Sequence, residues 1–161
     1  MKKMTFFLFA ALLGLKQANA QNRDTLIISA GAAKNISLAE NMNVVLVQTG
    51  AQENPFSINE KTARMLSITL SDGLLQIEPQ GSLPKQTTVY VLVRELDRLS
   101  VGFKTQVRTI GILKTKGLDV FVDGQATAHL RTSGKIKAHA MGDYDISVVE
   151  QPTDLLARNT R

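Results

Sequence analysis

The chain has 161 residues, with 19 basic and 14 acidic side chains, a formal net charge of +5 and no cysteine. The absence of cysteine excludes disulfide bonds and zinc sites built on thiolates, and it leaves no lipobox cysteine for a lipid anchor.

The N-terminus has the three parts of a cleavable secretory signal peptide. Lys2 and Lys3 form a short positive region, residues 6–15 form an apolar run, and Ala18-Asn19-Ala20 is a small-x-small cleavage box. The apolar run is about half the length of roughly twenty residues that a membrane-spanning helix needs. These residues therefore favour export over membrane anchoring.

We predict a signal peptide over residues 1–20, cleaved after Ala20, and a single mature domain over residues 21–161 without a transmembrane segment. The signal contains three of the basic residues, Lys2, Lys3 and Lys16. The mature chain then has 16 basic and 14 acidic side chains, a net charge of +2. This small charge argues against nucleic acid as a partner. The short signal peptide, the small size of the chain and the absence of cysteine fit a bacterial envelope protein that is periplasmic, surface-exposed or secreted.

The first half of the mature chain favours strands over helices. One short helix is predicted over residues 59–66, with Asn59 as its cap. The predicted strands are β-branched segments between turn residues, at residues 26–28, 42–48, 56–58, 67–70, 74–78 and 88–93. Ser71-Asp72-Gly73 is predicted to be a hairpin turn, and residues 80–86 a loop.

After Leu96 the strands become shorter and regularly spaced. Three segments can be aligned on their glycines, Gly102, Gly124 and Gly142, which are 22 and 18 residues apart. A repeat of about twenty residues made of strands and turns is typical of a β-solenoid, in which neighbouring coils bury each other's inner face. We therefore predict an all-β fold, a right-handed parallel β-helix-like solenoid with an N-terminal β-rich portion.

Residues 128–141 alternate between small apolar and basic side chains, and successive strand residues point to opposite faces. The pattern predicts that Ile136, Ala138 and Ala140 face inward, together with Ala128 and Leu130. It places a second set outward, namely His129, Arg131, Lys135, Lys137 and His139. An unpaired charge at Ala138 would then be severely destabilising.

The chain resembles the head GIN domain family, whose members are described as exported autotransporter adhesins. The resemblance covers roughly residues 35–150 and is carried by several segments, 43–50, 75–77, 89–93, 96–102, 118–128, 130–134 and 136–142. It implies a right-handed parallel β-helix-like fold and a role at the cell envelope. It implies no catalytic residues.

Residue types that could support catalysis or metal binding are few. His129 and His139 would need a third ligand, Asp143 or Asp145, to hold a metal ion. Ser133 lies in Thr-Ser-Gly and not in the Gly-x-Ser-x-Gly motif of a hydrolase nucleophile. The carboxylates Asp119, Asp123, Asp143 and Asp145 could suggest a glycosidase pair, but Asp143 and Asp145 flank Tyr144 near a turn, where we expect them to cap the turn or face solvent. We expect no catalytic residue, no metal site and no cofactor.

The basic residues of the second half are the feature that stands out. Residues 103–141 carry seven basic side chains against Asp119 and Asp123. We predict an anion-binding patch formed by Lys114, Lys116, Arg131, Lys135 and Lys137, in which lysines of neighbouring coils are lateral neighbours. A solubilising surface that discourages edge pairing is the alternative.

Two functions are consistent with these features. The first is a non-enzymatic envelope module for adhesion or binding, with an anionic glycan or another envelope component as partner. The second is a small polysaccharide-active β-helix enzyme, a lyase or hydrolase, which rests on fold analogy alone. The separation of acidic from basic residues along the chain favours the first. Homo-oligomerisation is left open.

Overall fold

A computed structural model describes residues 25–50, 57–58, 60–85, 87–142 and 145–150. The predicted signal peptide, its cleavage site after Ala20 and the predicted helix cap Asn59 lie outside these residues.

The described residues form strands and one short helix. In chain order the elements are β1 (Thr25–Ser29), β2 (Asn35–Leu38), β3 (Asn43–Gln48), β4 (Ser57–Ile58), α1 (Glu60–Met65), β5 (Leu66–Ser71), β6 (Leu74–Pro79), β7 (Thr88–Val93), β8 (Arg98–Val101), β9 (Gln106–Ile110), β10 (Gly117–Asp123), β11 (Thr127–Thr132), β12 (Lys135–Met141) and β13 (Asp145–Glu150). The all-β prediction is therefore confirmed.

The strands form two sheets. Sheet A has the order β13-β11-β9-β3-β7-β1-β4, and sheet B has the order β12-β10-β8-β2-β6-β5. Neighbouring strands run parallel, except that β4 and β5 each join an end of a sheet in an antiparallel pair. Two parallel neighbours in one sheet are connected through a strand of the other sheet. Each sheet is therefore assembled from strands that are distant in sequence.

From β8 onward the chain alternates regularly between the sheets. Strands β8, β10 and β12 are successive neighbours in sheet B, and β9, β11 and β13 are successive neighbours in sheet A. Ala128 and Ile146 are register partners, as the alignment of Gly124 with Gly142 requires, whereas the pairing of Val107 with Ala128 differs by one residue from the alignment of Gly102 with Gly124. The alignment is one residue off at β8, because Leu99 pairs with Val120.

The first half does not follow sequence order. Strand β7 lies between β1 and β3 in sheet A, and β6 lies beside β2 on the side away from β8. The chain leaves β3 for the far end of both sheets, where it forms β4, α1 and β5. The tight β5–β6 hairpin lies at that end, and β7 then returns to sheet A, where it pairs with β1 on one side and β3 on the other.

One hydrophobic core lies between the two sheets and contains residues from both. In β7, half-buried residues alternate with buried ones. In β11, the buried Ala128 and Leu130 alternate with half-buried or exposed residues. Burying a Val, Leu or Ile side chain contributes about 1.5–3 kcal/mol, so these inner rows are the main source of stability. The predicted facing of β11 is confirmed, since His129 and Arg131 are exposed.

Two local predictions from the first half are confirmed. Ser71 pairs with Leu74 across a two-residue turn, in which Asp72 and Gly73 have φ angles of 49° and 73°. Positive φ at both positions is the geometry of a type I′ hairpin. The predicted helix appears as the six-residue α1. In the described part of the chain, no helix is long and apolar enough to cross a membrane.

The prediction for β12 is wrong at its centre. Ile136 and Ala140 pack partly against the core, but Ala138 is exposed. Its register partner Val120 is fully buried, so Ala138 does lie on the inner side of sheet B. Strand β12 ends the sheet among the described residues, however, and the solvent reaches its inner side. The severe destabilisation expected for a charge at Ala138 therefore does not follow.

The turns that lead from sheet B to sheet A stack on one another. Asn41, Lys104 and Gln125 each lie two residues before a strand of sheet A and have φ angles of 58°, 55° and 53°. The buried Thr105 hydroxyl joins two of these turns, because it donates to the Ala39 carbonyl at 2.6 Å and accepts from the Met42 N–H at 3.1 Å. These bonds hold Asn41 and Lys104 in neighbouring positions.

Candidate anion-binding site

The five residues of the predicted patch lie in three places. Lys114 and Lys116 lie in the corner between β9 and β10, and Lys135 begins β12 immediately after the next corner. Lys137 is on the outer face of sheet B, whereas Arg131 is on the outer face of sheet A. The structure thus brings Lys114, Lys116 and Lys135 together and separates Arg131 from them.

The corner of Lys114 and Lys116 is fixed by backbone and side-chain bonds. The Lys114 N–H donates to Gln48 Oε1 at 2.7 Å, and the Gln48 amide donates to the Arg94 carbonyl at 2.9 Å. The following corner packs closely on this one, since a Cβ at Gly134 would clash with the backbone of Thr115. The two corners are therefore in close backbone contact.

This corner also contains an acidic residue. Lys34 Nζ lies 2.8 Å from Glu95 Oε2, with both side chains about half exposed. The hydrogen bond from Lys34, and then its positive charge, lower the pKa of Glu95, with a smaller contribution from Lys116. The same pair raises the pKa of Lys34. Lys34 thus compensates most of the Glu95 charge. The Glu95 carboxylate nevertheless weakens this corner as an anion site.

Lys137 has an acidic neighbour in the register. Asp119 on β10 pairs with Lys137 on one side and with Arg98 on the other. Lys135 pairs with Gly117. The expectation that lysines of neighbouring coils are lateral neighbours is therefore wrong on this face, where charges of opposite sign alternate across the strands and reduce repulsion.

The two histidines lie in different sheets. His139 on sheet B stacks on Phe121, with ring centroids 4.7 Å apart and planes 12° from parallel, and the Arg98 guanidinium lies 5.3 Å from the same phenyl ring. His129 is on sheet A, across the core. Asp143 lies outside the described residues, and within them no group of three or more potential ligands could hold a metal ion.

A cleft of about 370 Å³ lies on the outer face of sheet A. It crosses β7, β3, β9 and β11, where the outward side chains that line it are polar except for Val45. Its lining residues are Asn43, Val44, Val45, Thr88, Gln106, Val107, Arg108, Thr127 and His129. This lining offers two amides, two hydroxyls and two basic side chains, without a carboxylate.

The basic side chains of the cleft are adjacent. Arg108 on β9 and His129 on β11 are direct register partners, and both are exposed. Val45, the partner of Arg108 on β3, is 2 % exposed although it points away from the core, so it forms a covered apolar base. An arginine beside an imidazole over an apolar base suits a ligand with an anionic group and a flat apolar surface.

The sequence prediction placed His129 outward but did not select Arg108 for the site. The signal that could have found it is the apolar end of the repeat segments, since Val107 and Ala128 end the first two segments and are followed directly by Arg108 and His129. Aligning them places Arg108 beside His129. The cleft depends in addition on β3 and β7, whose position next to β9 the repeat does not indicate.

No protein-family model, no curated protein and no solved structure matches this chain. The resemblance to the head GIN domain family thus stays a prediction.

Proposed function

We propose that the protein is an exported, non-enzymatic envelope module of the head GIN type that binds anionic glycans. The observation that carries the proposal is the cleft on sheet A, where Arg108 and His129 stand side by side and the lining contains no carboxylate. Amide and hydroxyl side chains around it match the hydroxyl groups of a sugar, and the Arg108 guanidinium matches its carboxylate or sulfate.

We also propose that strands β8 to β13 belong to the coils of a right-handed parallel β-helix-like solenoid. Supporting this are the regular alternation of strands between the sheets and the parallel pairing of β8 to β13. A stack of parallel strands exposes rows of equivalent side chains about 4.8 Å apart. Such rows present repeated donors to a polymer, which is suited to adhesion through an extended ligand.

A polysaccharide-active enzyme is the alternative. Hydrolysis needs two carboxyl groups about 5–9.5 Å apart. Asp119 and Asp123 are four residues apart on β10, which is roughly 13 Å along a strand, and they project from sheet B. The cleft on sheet A has basic groups and no acid among its lining residues, although the exposed Asp145 on β13 is the register partner of Thr127 at its edge. We therefore favour binding over turnover.

The proposal can be tested by affinity chromatography of the exported protein on immobilised heparin and on polygalacturonate, with elution by salt. The cleft variant is Arg108→Gln. Arg131→Gln is the matched control, because it removes the same charge from the same sheet face at a residue that does not line the cleft. Both side chains are exposed, so circular dichroism should show an unchanged fold.

We expect the wild-type protein to be retained and Arg108→Gln to elute at clearly lower salt, with affinity about tenfold weaker, which corresponds to roughly 1.4 kcal/mol. Arg131→Gln should elute close to the wild type. Equal losses for both variants would indicate a diffuse basic surface instead of the cleft. Absence of wild-type retention on both matrices would contradict glycan binding.

A further inference from the structure

Two neighbouring register rows of sheet A present apolar side chains on its outer face, away from the core. These six residues, which we call the apolar patch, are Ile27, Tyr90, Val45, Leu92, Val47 and Ile110. The first three lie side by side on β1, β7 and β3, and the last three lie side by side on β7, β3 and β9. Ile27 and Ile110, on opposite sides of the patch, are 44 % and 45 % exposed.

The apolar patch is unusual for the outer face of a sheet. Side-chain alternation normally directs apolar residues to the core and leaves the solvated face polar. The outer face of sheet B follows this rule, since Asp119 there lies between Arg98 and Lys137 in the register. Exposed apolar side chains that adjoin one another instead mark a surface that another molecule or a lipid layer covers.

The charged side chains beside the apolar patch are all basic. Arg108 and His129 continue the first row beyond Val45. Arg131 follows His129 by two residues on β11 and so leaves the same face. Strands β1, β3, β7, β9 and β11 contain no acidic residue. The surface that covers the patch should therefore be apolar and carry negative charge at its border.

A second copy of the chain matches this face poorly. A two-fold contact between two apolar patches would bring both sets of Arg108, His129 and Arg131 to one interface. Because the five strands offer no acidic partner, these like charges would repel one another. A bilayer with anionic headgroups provides both an apolar layer and the negative charge.

We propose that the apolar patch docks the protein on the surface of a lipid bilayer with anionic headgroups. Ile27 and Ile110 enter the boundary between headgroups and acyl chains, where the amphipathic ring of Tyr90 is also favourable. Arg108 and Arg131 contact the headgroups. The inference goes beyond the proposed function, because it requires a lipid surface and no sugar. The docked protein would hold its cleft against the headgroup layer.

The test is co-sedimentation of the exported protein with vesicles of phosphatidylcholine, alone or mixed with phosphatidylglycerol. The patch variant is Ile27→Thr/Ile110→Thr, in which the β-branched threonines are compatible with strands. Ile58→Thr/Leu70→Thr is the matched control. These two side chains are 37 % and 41 % exposed, and their register partners Ile28 and Leu75 are core residues, so neither lies on the outer face of sheet A.

We expect the wild type to bind the mixed vesicles more tightly than phosphatidylcholine alone. The patch variant should bind the mixed vesicles at least about tenfold more weakly, and the control should bind like the wild type. Arg131→Gln should bind about fivefold more weakly. Lys137→Gln, on the outer face of sheet B, should change little. Because Arg131 does not line the cleft, its effect separates docking on lipid from binding in the cleft.

A fluorescent reporter tests the depth of docking. The chain contains no tryptophan, so a single introduced indole is the only one in the protein. Emission of Ile110→Trp should shift to shorter wavelength when the mixed vesicles are added, because the indole enters a less polar layer. Emission of Leu70→Trp should not shift.

Absence of wild-type binding to the mixed vesicles would overturn the docking, as would equal binding by the patch variant. An emission shift for Leu70→Trp but not for Ile110→Trp would also overturn it. A dimer in sedimentation velocity that the patch variant abolishes, without vesicle binding, would assign the patch to a second copy instead. Retention on polygalacturonate is measured without lipid, so failure of the docking leaves the proposed function intact.

Discussion

Arg108 and His129 are direct partners in the parallel ladder between β9 and β11, although 21 positions separate them in the chain. Their side chains therefore leave the same face of sheet A one strand spacing apart, about 4.8 Å. The parallel pairing converts a weak sequence repeat into a pair of basic groups at the rim of one cleft. An arginine and a histidine in a loop would need other contacts to be held in this way.

Filling the base of the cleft should block binding. Val45 is a covered residue of the outer face that lines the cleft, so Val45→Phe should reduce the retention of the protein on polygalacturonate by more than about tenfold. Val47→Phe is the matched control, since it is on the same strand and face but does not line the cleft. Equal retention of Val45→Phe and the wild type would argue against the cleft.

Charges placed at two alanines of the inner faces should have unequal effects. Ala128→Glu buries a carboxylate at a fully buried position, and we expect a loss of more than about 4 kcal/mol in the free energy of unfolding. Ala138→Glu should cost less than about 1 kcal/mol, because Ala138 is exposed on the last strand of sheet B. Urea denaturation measures both, and a similar large loss in the two variants would refute the exposure of β12.

Short-range features of the fold could be predicted from the sequence. The Ser71-Asp72-Gly73 turn and α1 depend on residues that are adjacent in the chain, and the β11 alternation depends on a period of two. Strand β2 was missed, because Asn-Ile-Ser-Leu is short and half polar. Its strand conformation comes from pairing with β6 and β8, which are distant in sequence.

Long-range order could not be predicted in the same way. Nothing in the residues of β7 indicates that it pairs with both β1 and β3, because all three strands have interchangeable apolar rows. For the same reason the sequence could not show that Arg131 and Lys137 leave opposite faces of the fold. A sequence repeat predicts which residues occupy equivalent positions in successive coils. The order of the strands in the sheets decides which of these residues lie side by side.

Two corner glycines provide a test of how closely the corners stack. A Cβ at Gly134 would clash with the Thr115 backbone, so Gly134→Ala should destabilise the fold by about 1–3 kcal/mol. A Cβ at Gly117 would lie 3.9 Å from the Lys135 carbonyl oxygen, an ordinary contact. Thermal unfolding should therefore show a clear loss for Gly134→Ala and little change for Gly117→Ala. A tolerated alanine at position 134 would mean that the corners are farther apart.

The Lys34–Glu95 pair should give a small stabilisation that depends on pH. Because the folded pKa of Glu95 is lowered, its contribution is complete above the unfolded value of about 4.3 and is lost as the pH falls through the folded pKa. Because the folded pKa of Lys34 is raised, its contribution is complete below about 10.4 and is lost as the pH rises through the folded pKa.

Melting temperatures of the wild type and Glu95→Gln should consequently differ by a small, constant amount between about pH 5 and pH 9 and converge as the pH falls through the lowered folded pKa of Glu95. Salt should reduce the difference, since both side chains are about half exposed. Glu78→Gln, on an exposed residue of β6, is the control and should show no such dependence. A difference in melting temperature that does not decrease as the pH falls below about 5 would exclude the ion pair as its cause.

The most direct measurement is the dissociation constant of an oligogalacturonate for the exported protein, determined calorimetrically over a range of salt concentrations for the wild type and Arg108→Gln. If the cleft binds anionic glycans through Arg108, the wild-type constant rises steeply with salt, because exposed charges are screened over about 8 Å at physiological ionic strength. The variant then binds about tenfold more weakly at low salt, with a shallower dependence. Equal constants and equal salt dependence for the two proteins, or no saturable binding by the wild type, would contradict the proposed function.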